Sequence, residues 1–451
     1  MSTTERDVQT RQPNVIWIFG DQHRGQCLGC MGDPDAVTPN VDRMATEGLH
    51  FTHAVSGGPT CTPFRGSLLT SRYTHECAPQ NGDPIPEGMP TISTVLRQNG
   101  YQTCYLGKWH LAGAGNRRGG WKKLVPEWQR ADWDEWIGYD NNNAQWNCWV
   151  HGGLGDDFFH YKLDGYETDV LTDMLLKRIE GWGKEQQNHS ENARPFFAVL
   201  SVQPPHDPCA APEEWTARFQ PGAITRRPNI PDIDWVSSLY HRRIGGYHAQ
   251  VANLDHNVGR VRQALLDNDL FGNTYIFFFS DHGDMLGSHA RFNKSVPHEE
   301  SIRIPMVIAA GHRRVGQLAV DHPINHVDIA PTTLGFCGIE KPADMRGFDY
   351  SPLWRQRDLE DAPDSAFVQE CGPFGKIHPN GWRAIVTRDG WKYAGTPAGP
   401  WLLFNVKDDP YEMTNLVFVS HYFEKRRELH GRLREWIAAT DDDFDLPELT
   451  W

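Results

Sequence analysis

Thr274-Tyr-Ile-Phe-Phe-Phe-Ser280 runs directly into Asp281-His282-Gly283-Asp284: an uncharged, aromatic-rich stretch followed at once by groups that can hold a metal or move a proton. The pattern occurs twice more. Asn14-Val-Ile-Trp-Ile-Phe-Gly20 precedes Asp21-Gln22, and Phe196-Phe-Ala-Val-Leu-Ser-Val202 precedes Gln203-Pro-Pro-His206. Continuous apolar runs of this length suit strands buried on both faces, as in a parallel sheet. Helical patterns lie between them. Val251, Leu254, Val258, Val261 and Leu265 recur at helical spacing with Gly272 as a stop, and Met89-Pro90-Thr91 opens a second helix that Asn99-Gly100 closes. Alternating strand and helix predicts a doubly wound α/β fold. Ligands of such sheets bind beyond the carboxyl ends of the strands, the edge at which all three polar clusters fall.

Composition narrows the function. The 451 residues are 39% hydrophobic and 23% charged, enough for a large buried core. No apolar run approaches the ~18 residues that span a bilayer, which excludes an integral membrane protein built on helices. A net charge of -14 argues against duplex nucleic acid as the main partner. The segment Met1 to Asn14 is polar and lacks an apolar core, so no signal peptide and a cytoplasmic location are expected. Nine cysteines, an odd count without dense spacing, fit reduced thiols. From about residue 380 the pattern changes. Trp382-Arg-Ala-Ile-Val-Thr387, Trp391-Lys-Tyr393 and Trp401-Leu-Leu-Phe404 read as short strands, followed by a helix from about His421 to Ala439. The expected organisation is a catalytic α/β domain over 1–375 and a smaller α+β subdomain over 376–451.

The stretch richest in chemistry is Thr60-Cys61-Thr62-Pro63-Phe64-Arg65-Gly66-Ser67-Leu68-Leu69-Thr70-Ser71-Arg72. Pro63 suits the first turn of a helix, which puts Cys61 at the N-terminus, where free amides favour an anion, with Arg65 one turn on. On position alone a buried structural cysteine fits equally well. The run Cys61-x-Pro63-x-Arg65 followed by Leu-Leu-Thr-x-Arg resembles the signature of the type I sulfatases of the alkaline phosphatase superfamily. The resemblance covers nearly the whole chain in order: Asn14 to Gln22; Thr38-Pro39-Asn40-Val41-Asp42 through Glu47-Gly48 and Phe51; Gly107-Lys108-Trp109-His110-Leu111; Pro205-His206-x-Pro208; Ser280-Asp281-His282-Gly283; Lys294 with Glu299 to Pro305; and Asp409-Pro410-x-Glu412-x-x-Asn415-Leu416.

The resemblance implies an alkaline-phosphatase-like large mixed, mainly parallel sheet flanked by helices, with a smaller C-terminal α+β subdomain. It implies hydrolysis of a sulfate monoester. A formylglycine-generating enzyme would oxidise Cys61 to formylglycine; one hydroxyl of the hydrated aldehyde attacks sulfur and the other later expels sulfate. Asp21, Gln22, Cys61, Asp281 and His282 are then the metal site, and Cys61, Arg65, Lys108, His110, His206 and Lys294 the catalytic set. The physics agrees. A cation and fixed positive charges screen the sulfuryl oxygens, and His110, His206 or Lys294 can handle the leaving group's proton. The metal segments depart from the commonest family pattern, since Gln22 and His282 stand where Asp and Asn are usual. Ca²⁺ follows from the family; the imidazole suits Mn²⁺ or Zn²⁺ better. Asp281-His282 also resembles the phosphonate monoester and phosphodiester hydrolases of the superfamily, which is the alternative activity. A non-catalytic binder of sulfated ligands is the alternative from another class.

Trp121, Trp128, Trp133, Trp136, Trp146 and Trp149 surround Tyr139-Asp140-Asn141-Asn142-Asn143. Flat aromatics beside amides suit a sugar ring, and the region is similar to the corresponding loop of carbohydrate sulfatases. Trp109, Trp133, Trp136 and Asn141 are the substrate-binding candidates; a hydrophobic clamp holding a long loop is the equal alternative. The expected partner is a small-molecule or oligosaccharide sulfate ester, with a homo-oligomer compatible with the family. Cys27-x-x-Cys30 lacks a second pair and reads as structural. Asp284 reads as a loop cap, His23, His50, His53 and His75 as hydrogen-bonding groups, and Arg24 and Arg72 as support.

Overall fold

The apolar runs form strands because alternate side chains serve two separate cores. Val15, Trp17 and Phe19 point into one, with Phe197, Val199, Phe277 and Phe279. Ile16 and Ile18 point into the other, with Ala198, Leu200, Ile276 and Phe278. A sheet covered on both faces needs apolar residues at every position, which is why these runs do not alternate.

The computed structural model describes residues 12–113, 123–188, 193–311, 318–355, 359, 361–372 and 381–449. The first half contains β1 (Asn14–Asp21), α1 (Pro39–Glu47), β2 (Leu49–Phe51), α2 (Cys61–Thr70), α3 (Ile92–Gln98), β3 (Gln102–Lys108), β4 (Glu135–Tyr139), β5 (Trp149–Gly152), β6 (Phe159–Lys162), α4 (Glu167–Gln187) and β7 (Phe196–Pro205). It continues through α5 (Asp234–Asp267), β8 (Thr274–Ser280), β9 (Met306–Ala310), β10 (Leu318–Val320) and α6 (Ile329–Phe336). The C-terminal part holds β11 (Ser365–Glu370), β12 (Trp382–Thr387), β13 (Trp391–Thr396), β14 (Gly399–Asn405) and α7 (Phe423–Ala439).

Ten strands make the main sheet in the order β10-β2-β9-β8-β1-β7-β3-β4-β5-β6. β1, β7, β8, β3 and β4 run parallel to their shared neighbours, whereas β5, β6 and β9 are antiparallel to theirs. The sheet is therefore mixed and mainly parallel at its centre, as expected. α1, α4 and α5 cover one face through Val41, Met44, Leu171, Leu175, Leu254 and Val258. α2, α3 and α6 cover the other through Phe64, Leu68, Ile92, Leu96 and Leu334. Among the described residues, no helix is long and apolar enough to cross a membrane.

Two boundaries differ from the sequence reading. The Trp-rich stretch read as a long loop contributes β4, β5 and β6: β4 pairs with the earlier β3, and β5 and β6, four residues each, pair with their chain neighbours but are too short to leave a hydrophobic period. The second sheet, β11-β12-β13-β14, starts at Ser365, ahead of the 375/376 division, which itself lies outside the described residues. Its first strand pairs antiparallel with β12 from Ser365↔Thr387 to Glu370↔Trp382, a non-local contact that composition does not reveal.

Candidate active site

β1 and β8 are hydrogen-bonded neighbours whose carboxyl ends coincide at Gly20↔Ser280, so Asp21 and Asp281 emerge side by side. Both are fully buried, as are Gln22 and His282. The chain turns sharply after the strand: Gln22 adopts φ 71°, a left-handed conformation. Its backbone N–H donates to Asp281 Oδ1 at 2.8 Å. Its side-chain amide donates to Asp284, which turns Oε1 toward Lys294 Nζ at 2.7 Å. Asp284 also accepts from the backbone of Leu286 and Asn293 at 2.8 and 2.9 Å, so it anchors the loop.

α2 brings Cys61 to this edge, and Cys61 is the helix's first residue. Its Sγ lies 3.2 Å from His282 Nε2, 3.5 Å from Asp21 Oδ1 and 3.4 Å from Lys294 Nζ. One turn along, Arg65 is buried, with Nη1 donating to Lys108 O at 2.6 Å and Ser201 Oγ at 2.8 Å. Its Nη2 lies 3.4 Å from Asp21 Oδ2 and 3.8 Å from Asp281 Oδ2. Lys108, ending β3, pairs with Asp21 Oδ2 at 2.6 Å. Four segments far apart in sequence thus converge on one buried thiol. Ser201 was not singled out in the sequence. It sits on β7 just short of the Gln203-Pro-Pro-His206 cluster, at the same sheet edge, and that position is the signal that marks it.

The electrostatics follow from crowding charge away from water. Burial pushes Asp21 up, but Lys108, His206, Lys294 and His282 outweigh it and hold the carboxyl well below the usual range. Asp281 is driven to about 7 by burial and by Asp21 beside it. Burial raises the Cys61 thiol to about 11, reinforced by Asp21. Burial, then the charges of Lys108 and Arg65, keeps His110 well below its ordinary value. His206 falls to about 4 through burial and the neighbouring Lys294. Burial works against the charge on Lys294, yet Cys61, Asp21 and Asp281 raise its pKa and keep it protonated. Neither ring nitrogen of His110 has a hydrogen-bond partner among the described residues, whereas His206 Nδ1 lies 2.7 Å from Asp207 O.

The donor set fits a divalent cation. Asp281 Oδ1 accepts hydrogen bonds from Gln22 and His282 backbone N–H, but its buried Oδ2 accepts none among the described residues. His282 Nδ1 lies 3.0 Å from Gly283 O, where Nδ1–H donates and Nε2 keeps its lone pair toward the carboxylates. Ligand atoms of Asp21, Cys61, Asp281 and His282 lie within 4.8 Å of one another. A cation there would meet a carboxylate oxygen that accepts no hydrogen bond among the described residues and has Arg65 at 3.8 Å.

The tryptophans divide. Trp109, Trp133 and Trp136 belong to the core, and Asn141 is buried. Tyr105 packs edge-on against Trp109 at 5.0 Å and lies 5.2 Å from Trp133, which stacks on Phe197 at 5.5 Å. The packing of Trp109, Trp133 and Trp136 on neighbouring rings corresponds to the clamp, the alternative reading; Asn141 is buried as well. Trp128 and Trp146 are exposed, 61% and 49%; Trp121 lies outside the described residues. The remaining support residues are engaged locally: His23 with Cys27 O, His50 with Met31, His53 with Thr52, His75 with Gln369 and Arg72 with Asp344. Cys27 and Cys30 do not form a pair; Cys30 Sγ lies 3.9 Å from His50, while Cys27 faces Asp33 and His248.

Comparison with known proteins agrees with this geometry. Residues 13–339 match the Sulfatase family model, and residues 287–439 match the model described as N-sulphoglucosamine sulphohydrolase, C-terminal. An ulvan-active sulfatase of Formosa agariphila is 31% identical, covering 98% of this chain and 84% of that protein. An N-acetylglucosamine-6-O-sulfatase of Bacteroides thetaiotaomicron is 24% identical over 95% of this chain and 86% of its own. Among solved structures, a protein in complex with its substrate D-glucosamine-2-N,6-O-disulfate has a TM-score of 0.82 at 22% identity, covering 97% of this chain and 100% of that one. The phosphonate monoester hydrolase of Agrobacterium radiobacter shares the fold less closely, with a TM-score of 0.73 at 22% identity over 95% and 96% of the two chains. With its alkaline-phosphatase-like sheet and its converging cysteine, carboxylates and cations, this chain belongs to the sulfatase family and is a sulfuric ester hydrolase.

Proposed function

We propose that this chain hydrolyses the sulfate monoester of a carbohydrate, a 6-sulfated hexose or hexosamine, at the site built around Cys61. The observation that carries the reading is the buried Cys61 thiol held within 3.5 Å of Asp21, His282 and Lys294. The sugar assignment draws on the relative that acts as an N-acetylglucosamine-6-O-sulfatase and the neighbour holding a sulfated glucosamine. Exposed Trp146 follows Gln145, whose amide donates to His206 O at 2.8 Å, so it is the aromatic we assign to the sugar face.

Asp21, Gln22, Asp281 and His282 would hold one divalent cation, which polarises sulfuryl oxygens when bound, while formylglycine made from Cys61 supplies the attacking hydroxyl. Arg65, fixed by Lys108 O and Ser201 Oγ, presents permanent positive charge where negative charge grows. Lys294 spans Cys61 and Gln22 and offers a charged N–H to the ester. His206 donates Nδ1–H to Asp207 O, which leaves Nε2 as the basic nitrogen. An anionic ester beside it favours its protonated form, which is the form a departing alkoxide needs. His110, with both ring nitrogens uncommitted, is the second proton carrier in this scheme.

A formylglycine-generating enzyme is the maturation partner in this reading. Nine unpaired cysteines support a reducing, cytoplasmic setting. The catalytic unit is taken to end before Ser365, with the second sheet and α7 supporting it from outside. His282 beside Cys61 favours one second reading, phosphonate monoester or phosphodiester hydrolysis. Parallel turnover of N-acetylglucosamine 6-sulfate, an aryl sulfate and a phosphonate monoester decides: the sugar sulfate is expected to lead, and a phosphonate lead reverses the assignment. Turnover of none of them, with Cys61 converted and metal bound, would leave a binder of sulfated ligands. Mass spectrometry of the Cys61 peptide is expected to show aldehyde in place of thiol; intact thiol in active enzyme defeats the scheme. Reconstitution with Ca²⁺, Mn²⁺ or Zn²⁺ separates the candidate ions.

A further inference from the structure

Away from Cys61, a second cluster of ligand-type side chains lies between the segment after β1 and the long helix α5. Cys27 and Asp33 bracket the short helical turn Gly29–Met31, which Gly32 ends at φ 88°. Asp33 Oδ1 accepts the Asp35 N–H at 2.9 Å, and its other oxygen, Oδ2, faces His248. His248 comes from α5 and is buried, and its Nδ1 lies 3.1 Å from Ile244 O one turn back. That bond places a proton on Nδ1; against the effect of burial, Cys27 and Asp33 raise the imidazole to about 10, so in the metal-free protein Nε2 also carries a proton and faces Asp33 as a cation. Among the described residues Nε2 makes no hydrogen bond, and it lies 3.5 Å from Asp33 Oδ2, at ion-pair distance. Ligand atoms of Cys27, Asp33 and His248 all lie within 4.8 Å of one another.

We propose that Cys27, Asp33 and His248 form a second metal site, selective for Zn²⁺ and separate from the catalytic cluster. Sulfur, carboxylate oxygen and imidazole nitrogen make a donor set for zinc rather than for Ca²⁺. In a tetrahedral site with bonds near 2.0–2.2 Å, nitrogen and oxygen ligands sit about 3.4 Å apart, close to the observed 3.5 Å. Binding replaces the Cys27 S–H and His248 Nε2–H protons by the metal and releases both protons to solvent. Thiolate and carboxylate then balance the two charges of the ion. The fourth position opens toward a cavity of about 460 Å³, lined by Asp33, His248 and Arg24 among others. Arg24 is buried, and its Nε and Nη1 have no hydrogen-bond partner among the described residues, so the cavity suits water or a small anion as the fourth ligand. The site would tie the chain after β1 to α5 beside Tyr247, whose hydroxyl donates to Gln22 O at 2.8 Å and accepts from Arg24 N–H at 2.9 Å.

Co²⁺ added to the full-length protein in excess Ca²⁺ tests this through thiolate-to-cobalt absorption in the near ultraviolet. The band is expected in the wild type and in Cys61→Ser, to disappear in Cys27→Ser, and to be displaced by Zn²⁺. His248→Asn serves as a second variant, with circular dichroism showing that each is folded; it is expected to lose Zn²⁺ binding while Cys61→Ser keeps it. No band in Cys61→Ser, or a band unchanged in folded Cys27→Ser and His248→Asn, overturns the site. Because sulfate ester turnover is not the readout, failure here leaves the catalytic reading standing.

Discussion

Two buried clusters of charge behave differently. Around Cys61, Asp281 Oδ2 and both ring nitrogens of His110 lack hydrogen-bond partners among the described residues, and two carboxylates face one thiol. At the join between the main sheet and the second sheet, Lys392 from β13 bridges Glu299, at 2.9 Å, and Glu412. There Arg303 also pairs with Glu299, and Glu412 accepts the Glu299 N–H at 2.8 Å. On the second sheet's side, Asn415 ties its loop to β14, its side chain accepting from Leu403 and Val417 N–H and donating to Trp401 O. Both clusters come from segments that resemble the family, so motif matches alone do not separate reaction from support. The way the carboxylates are met does: Lys392 lies in direct ion-pair contact with Glu299 and Glu412 and holds two sheets together, whereas Asp281 Oδ2 has, among the described residues, no Lys or Arg nearer than Arg65 at 3.8 Å and is arranged for something that is not part of the chain.

The largest effect expected is at Cys61. Cys61→Ala should lower kcat by roughly 10⁴-fold or more while leaving the melting temperature close to that of the wild type. Full retained activity in a steady-state sulfate-release assay would break the contrast outright. Asp281→Asn should reduce turnover on the order of 10³-fold, because the cation loses a charged ligand. The same change should raise the melting temperature of the chelator-treated protein, since it removes a like charge beside Asp21; a lower temperature there would show that Asp281 is a structural residue.

Lys392→Ala should act in the opposite sense. It strands Glu412 in the interior, leaves Glu299 to Arg303 alone and should cost about 3–5 kcal/mol in urea unfolding, with KM of the folded fraction unchanged. A change in KM with stability intact would erase the distinction between the clusters. Trp146→Ala should raise KM for an oligosaccharide sulfate by roughly 5-fold, about 1 kcal/mol, while an aryl sulfate is unaffected.

The smallest effect is a pH slope. Glu370, at the end of β11, accepts from Thr60 Oγ at 3.0 Å, next to Cys61. Burial raises it from 4.5 to about 7 against the Thr60 and Gly372 hydrogen bonds. A raised carboxyl contributes stability that is complete below about 4.5 and is lost as pH rises through about 7. Denaturation midpoints across that window should fall in the wild type and flatten in Glu370→Gln; parallel curves would remove Glu370 from the balance.

Much of this was legible in the chain. The three apolar runs ending in Asp21, His206 and Asp281 gave the central strands and the edge where ligands bind, because a doubly covered strand must be apolar throughout. The helix beginning at Cys61 followed from Pro63. The tryptophans were not decidable: the same residues that make a sugar platform make a core, and only packing against Tyr105 and Phe197 separates the two. β4 to β6 and β11 were missed for a related reason: they are short, and their stability comes from the sheets they join rather than from a local hydrophobic period.

The order of residues by itself determined which side chains are present and that they lie at strand ends and at a helix start, because hydrophobic period and turn chemistry are local properties. Tertiary structure alone decided which of them meet. That Gln22 turns its oxygen to Lys294, that Asp281 Oδ2 is left unsatisfied, and that Cys27 looks to Asp33 and His248 rather than to Cys30 are consequences of strand adjacency and helix placement. Distances between groups hundreds of residues apart are set by the packing of the sheet and its helices, and no local pattern encodes them.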